Sequence, residues 1–254
     1  MKNGRDQREI DKTHLSCDQA EERGFLHRDY IAHCLRWSHV VKHLGSRYKS
    51  ARILDIGCGK ETPLIKTLYT MRMTPQAYMG VDMNQLPEQE IHDKIEAKMN
   101  YGNFKLLSKF DFSKRLPLMI DNPTVIICFE VLEHVTPKKV LGIIDNIKRL
   151  SNHNTVIFIS TPCFNGKAAA NHINEMTYDF MKNLMSEHFR IEAVWGTFAS
   201  QRDIEPMIAT QDDDLQAAYH GLKDYYDSNL LSVLFAPLFP SKSRNCMWQL
   251  TLKI

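Results

Sequence analysis

Acidic side chains recur beside short apolar segments in the first half of the chain. Asp55, Asp82 and Asp111 each follow or end such a segment. Short apolar segments bounded by polar residues predict buried β-strands. Ligands of open α/β sheets bind at the carboxyl ends of the strands, where these carboxylates are expected to lie. The spacing therefore predicts a ligand site lined by acidic groups.

Two glycines follow the first of these acids. Gly57 and Gly59 connect the first predicted strand to a helix that is predicted to start after Thr62, with the Thr62 hydroxyl as its N-cap. Glycine permits tight turns and lets the backbone approach a ligand closely. This arrangement is typical of nucleotide-type ligand sites, and a tight turn without a ligand is the alternative. Because a carboxylate repels a pyrophosphate, Asp55 favours a ligand that carries positive charge.

The second and third acids have separate predicted roles. Asp82 follows Asp55 by 27 positions, a spacing expected of one βαβ unit. Its carboxylate is predicted to accept hydrogen bonds from both hydroxyls of a ribose, and a capping or turn residue is the alternative. Asp111 and Phe112 are predicted to contact an adenine, through its amino group and its ring face respectively. A loop aspartate beside a core phenylalanine is the alternative there.

Strands and helices alternate along most of the chain and would position these acids. This order predicts a Rossmann-like, doubly wound α/β fold with a mostly parallel, seven-stranded sheet. The last segment alternates apolar and polar residues, which predicts an antiparallel strand with one exposed face at or near a sheet edge. The predicted strands are 52–56, 77–82, 103–107, 124–129, 155–160, 189–195 and 248–254, and the main predicted helices are 30–44, 63–71, 88–99, 137–150 and 177–188.

Two regions depart from this alternation. Residues 1–49 are predicted to form a loose arm and then a helix that covers the pocket, with Arg36 or His39 facing it. Residues 50–254 form the main predicted domain, in which 196–244 is an insertion before the last strand. Long insertions are often functional, so a substrate lid is expected there. The insertion is predicted to hold a polar loop, a helix from the acidic run 212–214 to about Asp227, and the apolar segment 230–239.

The composition argues against several other classes of protein. With 254 residues and a net charge of +2, one large domain is expected, and bulk charge gives no support to an extensive nucleic-acid interface. The six cysteines include no Cys-x-x-Cys pair, so neither zinc nor a disulfide framework is expected, and a reducing cytoplasm is the expected location. His39 and His43 share a helix face without a further ligand, so no metal is expected. Neither a secretory signal nor a membrane span is predicted.

In combination, the motifs resemble those of class I S-adenosylmethionine-dependent methyltransferases, over roughly residues 50–254. The segment Leu54-Asp55-Ile56-Gly57-Cys58-Gly59 is similar to their glycine-rich first motif, although Glu61 stands where the family often has a third glycine. Gly80-Val81-Asp82 is similar to their ribose-binding acid, and Asp111-Phe112 to their adenine-contacting pair.

Two further segments carry the resemblance. Cys128-Phe129-Glu130-Val131-Leu132-Glu133-His134-Val135 is similar to the strand-four motif of the ubiquinone-biosynthesis-like branch. The end of the chain, 235–248, resembles uncharacterised methyltransferases, some of them phage-encoded. The resemblance implies S-adenosylmethionine as cofactor and S-adenosylhomocysteine as product. The implied cofactor-binding residues are Asp55, Gly57, Gly59, Asp82, Met83, Asp111, Phe112 and Glu130.

Two histidines are the candidate catalytic residues. His134 lies at the end of the fourth predicted strand and His172 in the polar loop after the fifth, where related enzymes place acceptor-side residues. Histidine suits a base at neutral pH. A helix-capping His134 and a surface-loop His172 without a role are the alternatives. Asn165, Lys167 and Asn171 are candidates for holding the acceptor.

The predicted activity is methyl transfer to an oxygen or nitrogen of a small-molecule or nucleotide-like acceptor, with no membrane partner. A nucleic-acid base-modifying methyltransferase is one alternative, although the chain lacks the Asn-Pro-Pro-Tyr or Asp-Pro-Pro-Tyr run of amino-methylating DNA enzymes. A non-catalytic binding module is another. A nicotinamide-dependent dehydrogenase is disfavoured because Thr62 stands at the third glycine of Gly-x-Gly-x-x-Gly. The sequence leaves the oligomeric state open.

Overall fold

A seven-stranded sheet forms the centre of the protein. The computed structural model describes residues 28–96, 104–117, 120, 122–166, 168–226 and 228–253. The strands are β1 (Arg52–Ile56), β2 (Ala77–Val81), β3 (Phe104–Leu107), β4 (Val125–Phe129), β5 (Val156–Pro162), β6 (Phe189–Phe198) and β7 (Asn245–Leu252). Their order in the sheet is β3-β2-β1-β4-β5-β7-β6. β1 to β5 pair in parallel, and β7 pairs antiparallel with both β5 and β6, which confirms the predicted fold class.

Helices cover both faces of this sheet, because alternate residues of its central strands face separate apolar cores. Ile53 of β1 and Ile127 of β4 pack with the first three helices. Leu54 and Ile126, their neighbours, pack with the fourth and fifth helices on the opposite face. The helices are α1 (Arg28–Leu44), α2 (Pro63–Thr70), α3 (Glu88–Glu96), α4 (Pro137–Leu150), α5 (Tyr178–His188), α6 (Gln201–Ile208), α7 (Asp213–Lys223) and α8 (Ser228–Phe235).

The last strand, β7, lies between β5 and β6, and β6 forms the sheet edge. Its antiparallel direction near an edge agrees with the prediction, and so does the partial exposure of Gln249 and Thr251. The strand starts three residues earlier than predicted, and its first four residues, Asn245 to Trp248, are all buried. The insertion packs over this start, where the Cys246 thiol donates to the carbonyl oxygen of Pro240 at 3.1 Å.

The insertion 196–244 contains more helix than the sequence predicts. The predicted polar loop includes α6, which forms despite an internal Pro206, and the apolar segment 230–239 includes most of α8. Together with α7, these helices bury a third core that includes Tyr219 and Phe235. The acidic run does start a helix, as predicted, since Asp212 accepts a hydrogen bond from the Leu215 amide at 2.9 Å.

Of the predicted helix caps at Thr62 and Thr177, only the second forms. Thr62 precedes α2, but its backbone is left-handed with φ of 43° and its side chain makes no capping hydrogen bond, so that prediction is wrong. Thr177 caps α5 by accepting a hydrogen bond from the Phe180 amide at 3.2 Å. The tight Gly-x-Gly turn explains the difference, because it ends in a left-handed residue where an N-cap needs extended backbone.

Some predicted features lie outside the described residues: the arm up to residue 24, the helix end at 97–99, and Lys167. Among the helices that the structure does describe, none combines the length and apolar character needed to cross a bilayer.

Candidate active site

The glycine turn after β1 packs directly on the segment after β4. Gly57 has φ of +72°, and a Cβ at this position would lie 2.3 Å from Cγ2 of Val131. Only glycine therefore fits here without displacing Val131. Gly59 has φ of +67° and open space where its Cβ would point, so the turn leaves room beside its second glycine.

Asp82 holds this turn in place from the end of β2. Its Oδ2 accepts a hydrogen bond from the Gly59 amide at 3.0 Å, and its Oδ1 accepts from the backbone and side-chain amides of Asn84 at 2.8 and 3.0 Å. Each carboxylate oxygen can accept a further hydrogen bond. Met83 follows with a half-exposed side chain. The structure thus places Gly59, Asp82 and Met83 together at the carboxyl ends of β1 and β2.

Asp55 lies deeper than the other acids. Its side chain is 1% exposed, and its Oδ2 accepts a hydrogen bond from the Tyr78 hydroxyl at 2.7 Å. Burial raises the pKa of Asp55 to about 7, the Tyr78 hydrogen bond opposes that shift, and the charge of Asp82 adds to it. A positive charge near the turn would favour the ionised form of this carboxyl group.

The side chains of Asp111 and Phe112, which follow β3, have different surroundings. Asp111 accepts hydrogen bonds from the Ser113 hydroxyl at 2.6 Å and pairs with Lys139 at 3.0 Å. Burial disfavours ionisation of Asp111, but these partners outweigh it and hold its pKa below the ordinary value. Phe112 is 4% exposed and belongs to the core beneath α4. The proposed adenine contacts of this pair remain predictions.

Glu130 is the centre of a polar network at the ends of β4, β5 and β7. Its carboxylate accepts hydrogen bonds from the Ser160 hydroxyl at 2.7 Å and from the Asn245 side-chain amide at 2.8 and 3.0 Å. Arg36 of α1 lies 3.6 Å from the same carboxylate and is 5% exposed. Helix α1 therefore reaches the site through Arg36. The ring of His39 instead packs 4.3 Å from that of Trp195.

The sequence analysis did not assign Ser160 or Asn245 to the site. Asn245 lies 115 positions from Glu130, and its Oδ1 also accepts a hydrogen bond from the Thr197 hydroxyl at 2.9 Å. Asn245 lies in the segment 235–248, but the resemblance of that segment gave it no role. Only the sheet order, which places β5 and β7 side by side, brings both residues to Glu130.

A second cluster contains both candidate catalytic histidines. The rings of His134 and His172 meet edge to face, with centroids 4.9 Å apart. Glu133 is fully buried beside them, with its Oε1 3.8 Å from Nε2 of His134. The loop after β5 carries His172 to this position, because the Glu133 carbonyl accepts hydrogen bonds from the amides of Ile173 and Asn174.

Each histidine is oriented through its Nδ1. That of His134 lies 3.1 Å from the carbonyl oxygen of Asn171, and that of His172 contacts Oε1 of Glu175. Glu175, which the sequence analysis did not assign to the site, is held in turn by a hydrogen bond from the Ala169 amide at 3.0 Å. Burial raises the pKa of Glu133 well above its ordinary value, and the charge of Glu130 acts in the same direction.

The other acceptor-side candidates differ in placement. Asn171 contributes its backbone carbonyl to His134, and its side-chain oxygen is buried. Asn165 is exposed on the loop. The cluster therefore contains His134, His172 and Asn171 from the predicted set.

Comparison with models of protein families identifies the family of this chain. A family model described as a methyltransferase domain matches residues 27–204, which is more than half of the chain. The chain belongs to this methyltransferase family. Membership confirms the interpretation of the chain as a methyltransferase. S-adenosylmethionine as cofactor agrees with structures of the same fold that hold S-adenosylhomocysteine. No curated protein matches the sequence.

Solved structures share the fold of this methyltransferase. The 1,6-didemethyltoxoflavin-N1-methyltransferase of Burkholderia thailandensis, solved with its substrate and S-adenosylhomocysteine, is 14% identical with a TM-score of 0.55, covering 88% of this chain and 79% of its own. The magnesium protoporphyrin IX methyltransferase of Synechocystis PCC 6803 is 16% identical with a TM-score of 0.51, covering 74% and 84%.

A third structure shows that this fold is not restricted to methyl transfer. The cyclase SpnF is 14% identical with a TM-score of 0.55, covering 86% of this chain and 80% of its own. Identities this low show a shared fold alone, and a fold hosts more than one chemistry. Any assignment of the acceptor must therefore come from the residues of the site.

Proposed function

We propose that the enzyme transfers a methyl group to an oxygen or nitrogen of a small-molecule or nucleotide-like acceptor. The observation that supports this best is the short connection between the two halves of the site. Val131, which packs on Gly57 of the glycine turn, is followed after one residue by Glu133 and His134. An acceptor held at the histidines would lie beside a cofactor held at the turn.

The cofactor-binding residues are proposed to be Asp55, Gly57, Gly59, Asp82, Met83, Asp111, Phe112 and Glu130. The fit is supported by the open space beside Gly59 and by the lone pairs that remain on Asp82 for ribose hydroxyls. Bound S-adenosylmethionine supplies an already activated methyl group, so the protein's main contribution is alignment of donor and acceptor. The buried Asp55 adds a carboxyl group whose ionised form a positive charge would favour.

Acceptor activation is proposed for the histidine pair. With its Nδ1 proton directed to Glu175, His172 presents Nε2 as the ring atom that can take a proton from the acceptor. His134 is directed in the same way by the Asn171 carbonyl. A histidine positioned by a carboxylate is an arrangement suited to general-base catalysis.

The resemblance of 128–135 to the ubiquinone-biosynthesis-like branch supports a small-molecule acceptor, while the phage-type resemblance of 235–248 names no acceptor. The 196–244 insertion is proposed as the lid over that acceptor, since α8 contacts both α1 and β6. A nucleic-acid base as acceptor and a non-catalytic binding module remain alternative outcomes of the test, and a cytoplasmic location remains a prediction.

The test is formation of S-adenosylhomocysteine with three acceptor panels: hydroxylated or amino-substituted aromatic compounds, nucleosides and nucleotides, and oligonucleotides. We expect product with a member of one of the first two panels, and about 100-fold or greater loss of kcat in His172→Ala at unchanged cofactor affinity. His153→Ala is the control, because this exposed histidine precedes β5, at the end of the strand opposite the site. Turnover of oligonucleotides alone, or parental kcat in His172→Ala, would contradict the proposal.

A further inference from the structure

Three side chains of the histidine cluster bring potential metal ligands together, which base catalysis alone does not require. One potential ligand atom each from Glu133, His134 and His172 lies within 4.8 Å of the others. Two of these side chains are imidazoles and the third is a carboxylate, a donor set that suits divalent ions such as Zn²⁺, Mn²⁺ and Co²⁺. The sequence predicted no metal, because these residues are 38 or more positions apart except for the adjacent Glu133 and His134.

The hydrogen bonds of both histidines leave the same ring nitrogen available. A carbonyl oxygen only accepts, so Nδ1 of His134 must carry the proton that it shares with Asn171. Glu175 likewise accepts from the Ala169 amide and orients His172 through Nδ1. Both rings therefore present the lone pair of Nε2, and a carboxylate or carbonyl behind a histidine is the usual outer partner of a metal-bound imidazole.

The carboxylate of Glu133 supplies an independent observation. Its side chain is 1% exposed, and its Oε2 accepts a hydrogen bond from the Thr161 hydroxyl at 3.2 Å. Its Oε1 is buried and accepts no hydrogen bond from any described residue. This same Oε1 is the oxygen that lies 3.8 Å from Nε2 of His134. A buried carboxylate oxygen without a hydrogen bond is costly unless a cation satisfies it.

We propose that Oε1 of Glu133 and Nε2 of both His134 and His172 bind one divalent cation. Ligand distances of about 2.1 Å require the three atoms to approach to roughly 3–3.5 Å, a closure of up to roughly 2 Å that side-chain rotation can supply. The His134 side chain is 41% exposed, so an acceptor can reach this cluster from solvent.

The ion's role in catalysis rests on the proposed function. An acceptor hydroxyl that coordinates the cation loses its proton more readily, as a metal-bound water does. The acceptor is then expected to carry a hydroxyl group. In that case Nε2 of His172 is a ligand rather than the base, and the hydroxyl proton passes to solvent water.

The test measures ion binding without turnover. Chelator-treated protein is titrated with Co²⁺, whose visible absorption reports its ligands, and Zn²⁺ binding is followed by equilibrium dialysis. We expect about one ion per chain in the parent and in the control His153→Asn, and binding at least tenfold weaker in Glu133→Gln and His134→Asn. Glu175→Gln, which alters only the outer partner of His172, is expected to weaken binding about 10- to 100-fold.

Two results would overturn the metal site: no ion bound by the folded parent, or equal affinity in the parent and the Glu133 and His134 variants. Circular dichroism confirms folding of each variant, and the exposed position of His134 makes its replacement the safer of the two. Methyl transfer by a protein that binds no ion removes the metal site and leaves the proposed function. Ion binding without methyl transfer to any acceptor removes the proposed function and leaves the metal site.

Discussion

Two regions of the site, the glycine turn and the polar network around Glu130, differ in how far along the chain their contacts reach. At the turn, Asp82 holds Gly59 across 23 positions. In the network, Asn245 reaches Glu130 across 115 positions, and Arg36 reaches Asn245 across 209. Contacts between residues close in sequence can be recognised as motifs, whereas the distant ones depend on the order of strands in the sheet. Substitutions at the turn should therefore act locally, and those in the network should loosen the packing of several elements.

The largest effect is expected from Gly57→Ala. The new methyl group would meet Val131 at 2.3 Å, and φ of +72° disfavours any side chain. We expect the free energy of unfolding to fall by roughly 2–5 kcal/mol and cofactor affinity to be lost. Urea denaturation and calorimetry measure the two effects.

The matched control for Gly57 is Gly221→Ala in α7, where a Cβ meets no atom within 4 Å. Alanine favours a helix interior, so this variant should be more stable by roughly 0.5–1 kcal/mol. Equal stability changes in the two glycine variants would show that the turn is not strained in the way described.

A pH-dependent effect is expected from Asp55→Asn. The pKa of Asp55 is about 7 in the fold against an ordinary 3.8, so the fold favours the neutral acid and stability decreases as pH rises from about 4 to about 7. The groups that face it are the Tyr78 hydroxyl, the Asp82 carboxylate and the thiols of Cys58 and Cys128. Asparagine keeps an oxygen that can accept from Tyr78.

The variant is therefore expected to gain stability relative to the parent as pH rises, by on the order of 3–4 kcal/mol between pH 4 and pH 8. Thermal denaturation across this range measures the difference. A constant difference between the two proteins at every pH would show that Asp55 ionises normally in the fold.

A smaller but more widespread effect is expected from Asn245→Ala in the network around Glu130. The substitution removes two hydrogen bonds donated to Glu130 and one acceptor used by Thr197. We expect the free energy of unfolding to fall by roughly 1–3 kcal/mol. Hydrogen exchange should show faster opening in both α1 and β6, because the network joins them. The control is Asn183→Ala, which alters an exposed asparagine of α5. Faster exchange confined to β7 would contradict a network that joins these elements.

Much of the fold was predictable because its central strands are apolar on both faces. Ile53 and Leu54 belong to different cores, so β1 appears in the sequence as an uninterrupted apolar segment. The helices α6 and α8 were not predicted as such. An internal Pro206 obscures the first, and the second lies within an apolar segment without clear helical periodicity.

The candidate site was predictable to the extent that its residues follow strand ends. Asp82 and Gly59 were predicted neighbours, and they share a hydrogen bond. The hydrogen bond of Asp55 to Tyr78, by contrast, depends on the register of β1 against β2, which a motif does not contain. Glu175 could have been suspected only from its position three residues after His172, a spacing that is common in loops without any such role.

Isothermal titration calorimetry tests most directly whether the ends of β1 and β2 bind S-adenosylmethionine. We expect one molecule bound per chain, at least tenfold weaker binding in Asp82→Ala, and unchanged affinity in Asp145→Ala, which alters an exposed acid of α4. Equal affinity in the parent and Asp82→Ala, or no binding by the folded parent, would contradict this binding site.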